Sequence, residues 1–590
     1  MIDPSVSISG PSARPVPAHR WHRLLTADLW AVVALVAVSG LIELALRRLL
    51  SRPFYYDEAW RAYEISLGHR FLGSFHIANA PLALGWFGIE SAARIVLGNT
   101  EAGLRAPMFL AFPVLGAATY RVARCWLGVL PSFLVAGMLL VNGWIAFYAL
   151  QLKSYSYEAL VAVATLGLYL VIRRSTWGRL QLIGLFALLG LACVFSLPNV
   201  FVAGPLLVLE LSRAVRERHQ RLLRIAGVAL TAVIALAHYL LFVSPQSNGT
   251  GKQALTSFFR QQFAPHQLGG FIDFVGRGLA SYLPSGFLGA AGQITGGLGF
   301  PLPALASDLI SAVVVVLLIS GVTVAARNAA GRALITAAGG ALLCELLGSV
   351  ARKWPFGLLR VNIFILPLLY ILAGIGAVAL LSLARDPVRA FLGRSRLTLT
   401  QTAALIGTVA VVTATAAATF LATAGALTGT AEGAALPDWW GDTKTAVAHA
   451  RLTGGPGDLV IIRSDRKPAD WYFEPWQYYM QTYQGFPARI TSHPPIPASS
   501  TLAVFALTPG TIGRFVASHP HARTLYLLEY RVLGDTAPHV GAEIPASVHT
   551  QSMQALARYG FCTAVEIPLI ETGELTVVSR GGCTSTTGTS

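Results

Sequence analysis

Long apolar segments recur along this sequence and restrict its fold more than any other feature. About eleven of them approach the roughly 20 residues that an α-helix needs to cross a bilayer. Only 12% of the 590 residues are charged, whereas soluble proteins carry about 25%. The pattern predicts a polytopic α-helical membrane protein with spans at Leu29–Leu46, Leu104–Tyr120, Leu127–Phe147, Tyr157–Val171, Leu180–Leu197, Val200–Leu211, Ile225–Val243, Leu309–Ala326, Ala333–Val350, Val361–Leu383 and Thr402–Leu421.

Arginine-rich loops alternate with arginine-poor loops, and this alternation predicts the orientation. Segments such as RVARC, SRAVRERHQRLLR and ARDPVRAFLGRSR are expected in the cytoplasm, together with an N-terminal arm at residues 1–26. The intervening loops then lie outside, including a first outer loop at residues 50–103 and a long outer loop at 244–302. Most of the net charge of +16 follows from this arrangement, so it gives no reason to expect a nucleic-acid partner.

The segment APLALGWFGIESAARIVLG, residues 80–98, resembles a further span. Glu90 and Arg94 would then lie inside the membrane, where charge is costly. Counting this segment as a span would also place every later arginine-rich loop outside. We therefore predict an amphipathic helix that lies at the membrane interface.

The chain becomes polar and aromatic after the last span. Residues 27–426 hold the spans, whereas residues 436–590 contain no further long apolar segment. There, DLVIIRS, TLAVFAL and RTLYLLEYRV are typical of buried strands, and helical patterns lie between them. Eleven spans and a cytoplasmic N-terminus predict that this part is an extracytoplasmic α/β domain. Oxidation is allowed in that location, so Cys562 and Cys583 are candidates for a disulfide.

The polar residues that could carry chemistry collect on the predicted outer side. The first outer loop contains two adjacent carboxylates, Asp57 and Glu58, followed by Glu64 and His76. A carboxylate can accept the proton of an attacking hydroxyl, and basic side chains can bind a phosphate leaving group. The candidates near the other outer loops are Arg105, Lys153, Tyr155, Arg352, Lys353 and Arg360.

Each candidate also has a purely structural interpretation. Asp57 could cap the helix that EAWRAYEI predicts and pair with Arg61. The basic residues could be anchors in lipid headgroups, and Tyr155 could belong to an interfacial aromatic belt. Glu64 could pair with Arg61, and His76 could be an ordinary loop histidine. The residues alone leave these alternatives open.

Four segments together resemble the GT-C membrane glycosyltransferases, most closely the bacterial relatives of dolichyl-phosphate-mannose–protein mannosyltransferases. They are FYYDEAW in the first outer loop, the arginine-led span that begins GLRAPMF, the element YALQLKSYSYEAL, and the late span WPFGLLRVNIFILPLL. The resemblance covers about residues 29–385. In the third segment Lys153 stands where that family has an arginine, and lysine lacks the bidentate fork of arginine.

The resemblance implies a glycosyltransferase that moves a hexosyl or pentosyl group from a polyprenyl-phosphate donor to a hydroxyl acceptor on the outer face, with inversion. From the position of the carboxylates in the first outer loop we predict Asp57 as general base with Glu58 in support. The donor phosphate would lie among Lys153, Tyr155, Arg352, Lys353 and Arg360, with Glu64, His76 and Arg105 lining the site. No cofactor is required, although Asp57 and Glu58 leave a divalent cation open. The acceptor would be a cell-envelope glycan, lipid or protein, and the location a bacterial plasma membrane.

Two other classes of function stay open. A lipid or polysaccharide transporter or flippase should carry polar residues near the middle of several spans. The spans contain few such residues, namely Glu43, His238 and Glu345. Alternatively, the membrane region could only anchor a binding domain, but eleven spans are far more than an anchor needs. The collection of polar groups at one face favours an enzyme.

Overall fold

The computed structural model describes most of the membrane region and parts of the C-terminal domain. The described residues are 18–47, 50–54, 56–73, 80–173, 177–216, 220–247, 259–283, 286–287, 304–358, 360–392, 442–455, 457–463, 478–479, 488–490, 502–506, 509–530, 546–569 and 573–581. The predicted span Thr402–Leu421 and the candidate His76 lie outside them.

Helices account for nearly all of the described membrane region. Each predicted span within the described residues is largely helical, and the span Leu127–Phe147 is divided between two helices. A π-helical turn and a short helical turn extend the helix Arg221–His238 to Gln246, and a 3₁₀ segment at Arg360–Ile365 leads into the helix Leu366–Leu392. The helices are α1 (Ala18–Leu46), α2 (Tyr56–Leu67), α3 (Leu84–Leu97), α4 (Glu101–Ala123), α5 (Val129–Leu140), α6 (Gly143–Ala149), α7 (Tyr155–Ile172), α8 (Arg179–Phe195), α9 (Asn199–Arg216), α10 (Arg221–His238), α11 (Leu268–Ser281), α12 (Ala304–Ala325), α13 (Ala329–Val350) and α14 (Leu366–Leu392).

Not every one of these helices meets the length and apolarity that a span requires. Among the described residues, six segments do, and a seventh results if α5 and α6, bent by 61°, form one broken span. Asn142 lies at that bend, where its side chain accepts hydrogen bonds from the N–H groups of Trp144 and Ile145 and starts α6. Helix α8 and residues 311–325 of α12 are apolar but shorter. The number eleven therefore stays a prediction.

Helices α7 and α14 form the centre of the bundle. In the apolar window of the segment Arg360–Ser382, 72% of the residues are buried, against 17% for Arg221–Gln246 at the periphery. Helix α14 also packs closely on α12, because the glycines Gly321 and Gly376 at their contact have no side chain. A Cβ atom on Gly376 would lie 1.9 Å from the carbonyl oxygen of Leu317. A larger residue there would force the two helices apart.

The segment 80–98 contains helix α3, which packs against α2, α4 and α8. Glu90 is fully buried, and neither carboxylate oxygen has a hydrogen-bond partner within the described structure. Desolvation raises the pKa of Glu90 well above its ordinary value. The neutral form of the carboxyl is therefore favoured, and burying this form costs less free energy than burying a charged carboxylate. Arg94 donates to the Ser66 carbonyl at 2.6 Å. The interfacial position of this helix stays a prediction.

The C-terminal domain contains a six-stranded sheet with the order β2-β3-β1-β4-β6-β5. The first four strands are parallel, and β6 pairs antiparallel with β4 and β5. The three strands predicted from the sequence are β1, β3 and β4, which are adjacent in the parallel part of the sheet. The strands are β1 (Asp458–Arg463), β2 (Ala488–Ile490), β3 (Leu502–Ala506), β4 (Thr524–Tyr530), β5 (Phe561–Leu569) and β6 (Gly573–Arg580), and the helices are α15 (Asp442–Thr453), α16 (Pro509–Ala517) and α17 (Ala546–Ala557).

Cys562 lies on β5 and is disulfide-bonded. Cys125, Cys193 and Cys344 are free thiols. The predicted partner, Cys583, lies beyond the last described residue, so the pairing stays a prediction. A disulfide at this position would tie down the edge strand of the sheet.

The C-terminal domain contacts the first outer loop and the start of α4. The hydroxyl of Tyr479 accepts a hydrogen bond from the Phe54 N–H at 2.6 Å, and Tyr478 packs edge-on against the Phe54 ring at 5.4 Å. Lys444 pairs with Glu101 at 2.5 Å. The two regions are far apart in sequence, and they meet beside the predicted catalytic loop.

Candidate active site

A cavity of about 350 Å³ opens between the membrane helices and the loops on the side of the first outer loop. Its volume lies at the lower end of the range for small-molecule sites. Its walls come from α2, the segment before α3, the start of α7, the end of α10 and the segment between α13 and α14. Lining residues include Trp60, Arg61, Trp86, Lys153, Ser154, Tyr155, Glu158, Tyr239, Gln246, Phe263, Arg352, Lys353, Trp354 and Arg360.

All five residues predicted to surround a donor phosphate line this one cavity. They come from two chain segments about 200 residues apart. Lys153 is buried, with 6% of its surface exposed, whereas Arg352 and Lys353 are exposed at the rim. The structure adds Arg61 as a fifth basic lining residue. Such a concentration of positive charge is suited to an anionic group that leaves water.

Arg352 takes a backbone conformation that glycine normally provides. Its φ angle is 53°, and the N–H groups of Lys353 and Arg352 bond to the carbonyls of Gly348 and Ser349 at 2.8 and 3.0 Å. These two bonds form a Schellman motif that ends α13 with Arg352 as its left-handed residue. The motif turns the chain so that Arg352 and Lys353 lie at the mouth of the cavity.

Asn362 fixes the loop at residues 354–357, part of which lines the cavity. Its buried side chain donates to the carbonyls of Pro355 and Gly357 at 2.9 and 2.8 Å and accepts from Trp354 Nε1 at 2.6 Å. Tyr282 reaches the same loop with a weaker bond to the Gly357 carbonyl. Burial, and then the Glu345 carboxylate, raise the pKa of Tyr282 well above its ordinary value, so its hydroxyl stays protonated and can donate.

Glu58 and Arg105 lie behind the cavity. Neither is among the residues that line it. Instead they form a buried ion pair, in which Arg105 Nε and Nη2 donate to the two oxygens of Glu58 at 3.0 and 2.8 Å. Glu58 also accepts from the Leu152 N–H at 2.7 Å. The sequence interpretation of Arg105 as a headgroup anchor does not fit a side chain that is 1% exposed.

Asp57 is the second residue of α2, and its side chain is not among those described. Because Tyr56 is already helical, Asp57 lies inside the first turn. Glu64 does not line the cavity either. It is buried and pairs with Arg61 at 2.6 Å, as the structural interpretation of this residue expected.

Glu158 is among the polar residues at the start of the predicted fourth span, where the sequence gives it no specific role, yet it lines the cavity. Its carboxylate is 5% exposed and accepts a hydrogen bond from Ser154 Oγ at 2.8 Å. Its position one turn into α7, after Lys153, Ser154 and Tyr155, is the signal that could have identified it. A carboxylate beside tryptophan and tyrosine rings is suited to bind the hydroxyl groups of a sugar.

Solved structures of other proteins have folds similar to that of this chain. ArnT from Cupriavidus metallidurans in the apo state is similar, with a TM-score of 0.50 and 14% identity over 94% of this chain and 98% of ArnT. ArnT is a GT-C glycosyltransferase. The chain has the GT-C fold.

Two further solved structures match the GT-C fold of this chain at lower scores. They are ArnT bound to undecaprenyl phosphate (TM-score 0.47, 14% identity, 92% of this chain and 97% of that chain) and the archaeal oligosaccharyltransferase AglB from Archaeoglobus fulgidus with an inhibitory peptide and a dolichol-phosphate (0.44, 13%, 85% and 69%). No protein-family model and no curated protein sequence matches the chain. The sequence-based resemblance is thus confirmed at the level of the GT-C fold.

The described part of this GT-C fold offers few ligands to a metal ion. It contains no group of three or more His, Cys, Asp or Glu side chains placed to hold a metal ion. The carboxylate nearest to Asp57 in sequence, Glu58, already accepts hydrogen bonds from Arg105 and Leu152. A divalent cation bound jointly by Asp57 and Glu58 would have to compete with these bonds.

Proposed function

We propose that this protein is a membrane glycosyltransferase that transfers a sugar from a polyprenyl-phosphate donor to a hydroxyl acceptor on the outer face of the membrane. The observation that carries the proposal is the convergence of Lys153, Tyr155, Arg352, Lys353 and Arg360 on one cavity. These residues were selected from the sequence as phosphate ligands, and they lie in segments that only the fold brings together. The GT-C fold supports the same conclusion.

In this proposal the reaction is a single displacement. The oxygen of the acceptor hydroxyl attacks the anomeric carbon, and the bond from that carbon to the phosphate oxygen breaks. The phosphate leaves with the electron pair of that bond, and its growing negative charge is stabilised by Lys153 and the arginines. Asp57 accepts the proton of the hydroxyl, and attack opposite to the leaving group inverts the anomeric configuration.

Aromatic residues of the cavity lining and Glu158 would bind the sugar between Asp57 and the phosphate ligands. Trp60 and Trp86 supply rings, and Glu158 supplies hydrogen-bond acceptors on the side of the cavity formed by α7. Arg61, which lies between Glu64 and the cavity, adds a donor. The acceptor would be a cell-envelope glycan, lipid or protein.

The first test is an assay of purified protein with a panel of polyprenyl-phosphate sugars, in which loss of donor and release of polyprenyl phosphate are followed. Asp57→Asn should lower the turnover number by about 10²–10⁴-fold, because asparagine cannot accept the proton. Lys153→Met should weaken use of the donor severely, whereas Lys153→Arg should retain more. Movement of intact donor across the membrane of reconstituted vesicles, without cleavage of the bond between sugar and phosphate, would favour a transporter instead.

Matched controls are available on α11. Asp273→Asn and Arg277→Met change the same types of side chain at an exposed i,i+4 pair, and both variants should turn over donor like the wild type. Near-wild-type turnover by Asp57→Asn would remove Asp57 as the base. Unchanged turnover after single methionine substitutions at Lys153, Arg352, Lys353 and Arg360 would show that these residues only anchor the protein in lipid headgroups.

A further inference from the structure

Glu58 lies where three parts of the chain meet. Its Oε1 accepts hydrogen bonds from Arg105 Nε at 3.0 Å and from the Leu152 N–H at 2.7 Å, and its Oε2 accepts from Arg105 Nη2 at 2.8 Å. The Glu58 and Arg105 side chains are 0% and 1% exposed. Glu58 therefore faces protein groups and is withdrawn from the cavity.

Glu58 and its hydrogen-bond partner Leu152 are each adjacent in sequence to a residue of the proposed reaction. Asp57 directly precedes Glu58 on α2, and Lys153 directly follows Leu152. The short turn that presents Lys153 is closed by its own N–H, which donates to the Gln151 carbonyl at 2.8 Å. The buried Glu58 carboxylate thus connects the backbone next to Asp57 with the backbone next to Lys153.

Arg105 extends the same connection to the chain that enters α2. Its Nη1 donates to the carbonyls of Leu50 and Arg52 at 2.8 and 2.6 Å. Its guanidinium lies over the ring of Phe54, 4.7 Å from the centroid. The fork of Arg105 therefore fixes the segment just before Asp57 as well as Glu58 just after it.

We propose that Glu58 and Arg105 are a positioning pair that sets the distance between Asp57 and Lys153. This inference rests on the proposed function, and it assigns Glu58 a role in geometry and none in proton transfer. Asp57, the proposed proton acceptor, and Lys153, a proposed phosphate ligand, lie on different segments. A reaction in one step requires Asp57 beside the attacking hydroxyl and Lys153 beside the leaving phosphate, on opposite sides of the same anomeric carbon. A displacement of 1 Å between such groups can lower the rate by about 10²-fold.

The kinetic test uses E58Q, R105K and the double variant E58Q/R105M in the full-length protein. E58Q keeps an oxygen for the Leu152 N–H but loses the charge, and R105K keeps the charge but loses the fork. Each single variant should lower the turnover number by about 10²-fold. The double variant should be no slower than the slower single variant, because all of them remove the same constraint.

The pH–rate profile separates positioning from proton transfer. The ascending limb should remain in E58Q, since Asp57 still titrates. If Glu58 were itself the base, E58Q would abolish that limb while R105K retained most of the turnover. Either that result or a turnover of E58Q within about threefold of the wild type, far less than misplacement costs, would overturn the proposal.

Glu210 and Arg224 provide a matched control. This ion pair, also between buried Glu and Arg side chains, joins α9 and α10, and neither residue lines the cavity. E210Q removes the same buried charge, so it should lower the melting temperature as E58Q does. Its turnover number should stay at the wild-type value, which a general effect of destabilisation would not allow.

Hydrogen–deuterium exchange tests the pair without any activity. E58Q should speed exchange in residues 56–67 and 150–154 together, whereas E210Q should do so in neither segment. If the wild type transfers no sugar from any donor, the proposed function fails, and the exchange result still decides whether the pair joins the two segments. Unchanged exchange in both segments of E58Q would overturn the proposal, and R105K is measured in the same way if E58Q does not fold.

Discussion

At the scale of single residues, the site breaks a local rule at Arg352. The left-handed position that ends a helix is usually glycine, and a residue with a side chain costs about 1–3 kcal/mol there. We expect Arg352→Gly to raise the free energy of unfolding by about 0.5–1 kcal/mol after the greater freedom of glycine in the unfolded chain is subtracted. The same change should weaken donor binding, because a basic group leaves the mouth of the cavity. Thermal unfolding in detergent and the KM for the donor measure the two effects.

Gln220 is the matched control for this prediction. Within the described chain it is the other non-glycine residue at a clearly positive φ, with a value of 55° at the start of α10, and it does not line the cavity. Gln220→Gly should stabilise the protein similarly and leave the KM for the donor unchanged. Equal donor KM values for the wild type and Arg352→Gly would mean that Arg352 is not a phosphate ligand.

At the scale of elements, the contact of the C-terminal domain with the first outer loop depends on Tyr479. Burial raises the pKa of Tyr479 well above its ordinary value, so its hydroxyl is present in the neutral form at physiological pH. Tyr479→Phe leaves the Phe54 N–H without its acceptor, which costs about 1–3 kcal/mol in a buried site. We expect faster hydrogen exchange in residues 50–54 and in α2, and a lower turnover number.

Tyr526→Phe is the control for the domain contact. It removes a hydroxyl that bonds to Thr453 at 2.8 Å within the C-terminal domain. This variant should destabilise the domain without changing exchange in the first outer loop. If Tyr479→Phe also leaves exchange in that loop unchanged, the domain does not stabilise the first outer loop.

At the scale of the whole molecule, the domain contact restricts the topology. The C-terminal domain can touch the first outer loop only if both lie on the same side of the membrane, so an even number of spans must separate them. The sequence predicts ten spans after that loop, which is even. Alkaline phosphatase fused after Ala435 should therefore be active, and a cytoplasmic reporter at the same position should be inactive. The opposite result would place the domain, and with it the loop that it contacts, in the cytoplasm, and would contradict the predicted orientation.

The sequence by itself determined the features that depend on local pattern. Runs of about 20 apolar residues marked the spans, and strand–helix alternation marked the α/β domain, because periodicity is a property of neighbouring residues. The predicted phosphate ligands were selected by residue type and by their place at the ends of spans. All of them line one cavity because the ends of spans on one side of a membrane lie at the same level.

Only the tertiary structure decided which groups the candidate carboxylate Glu58 contacts. Glu58 meets Arg105 across 47 residues of sequence and Leu152 across 94, and Phe54 meets Tyr479 across 425. No local pattern encodes such pairings, since they depend on which helices pack side by side. Adjacent Asp57 and Glu58 looked equivalent in the sequence, and burial beside Arg105 made Glu58 a structural partner.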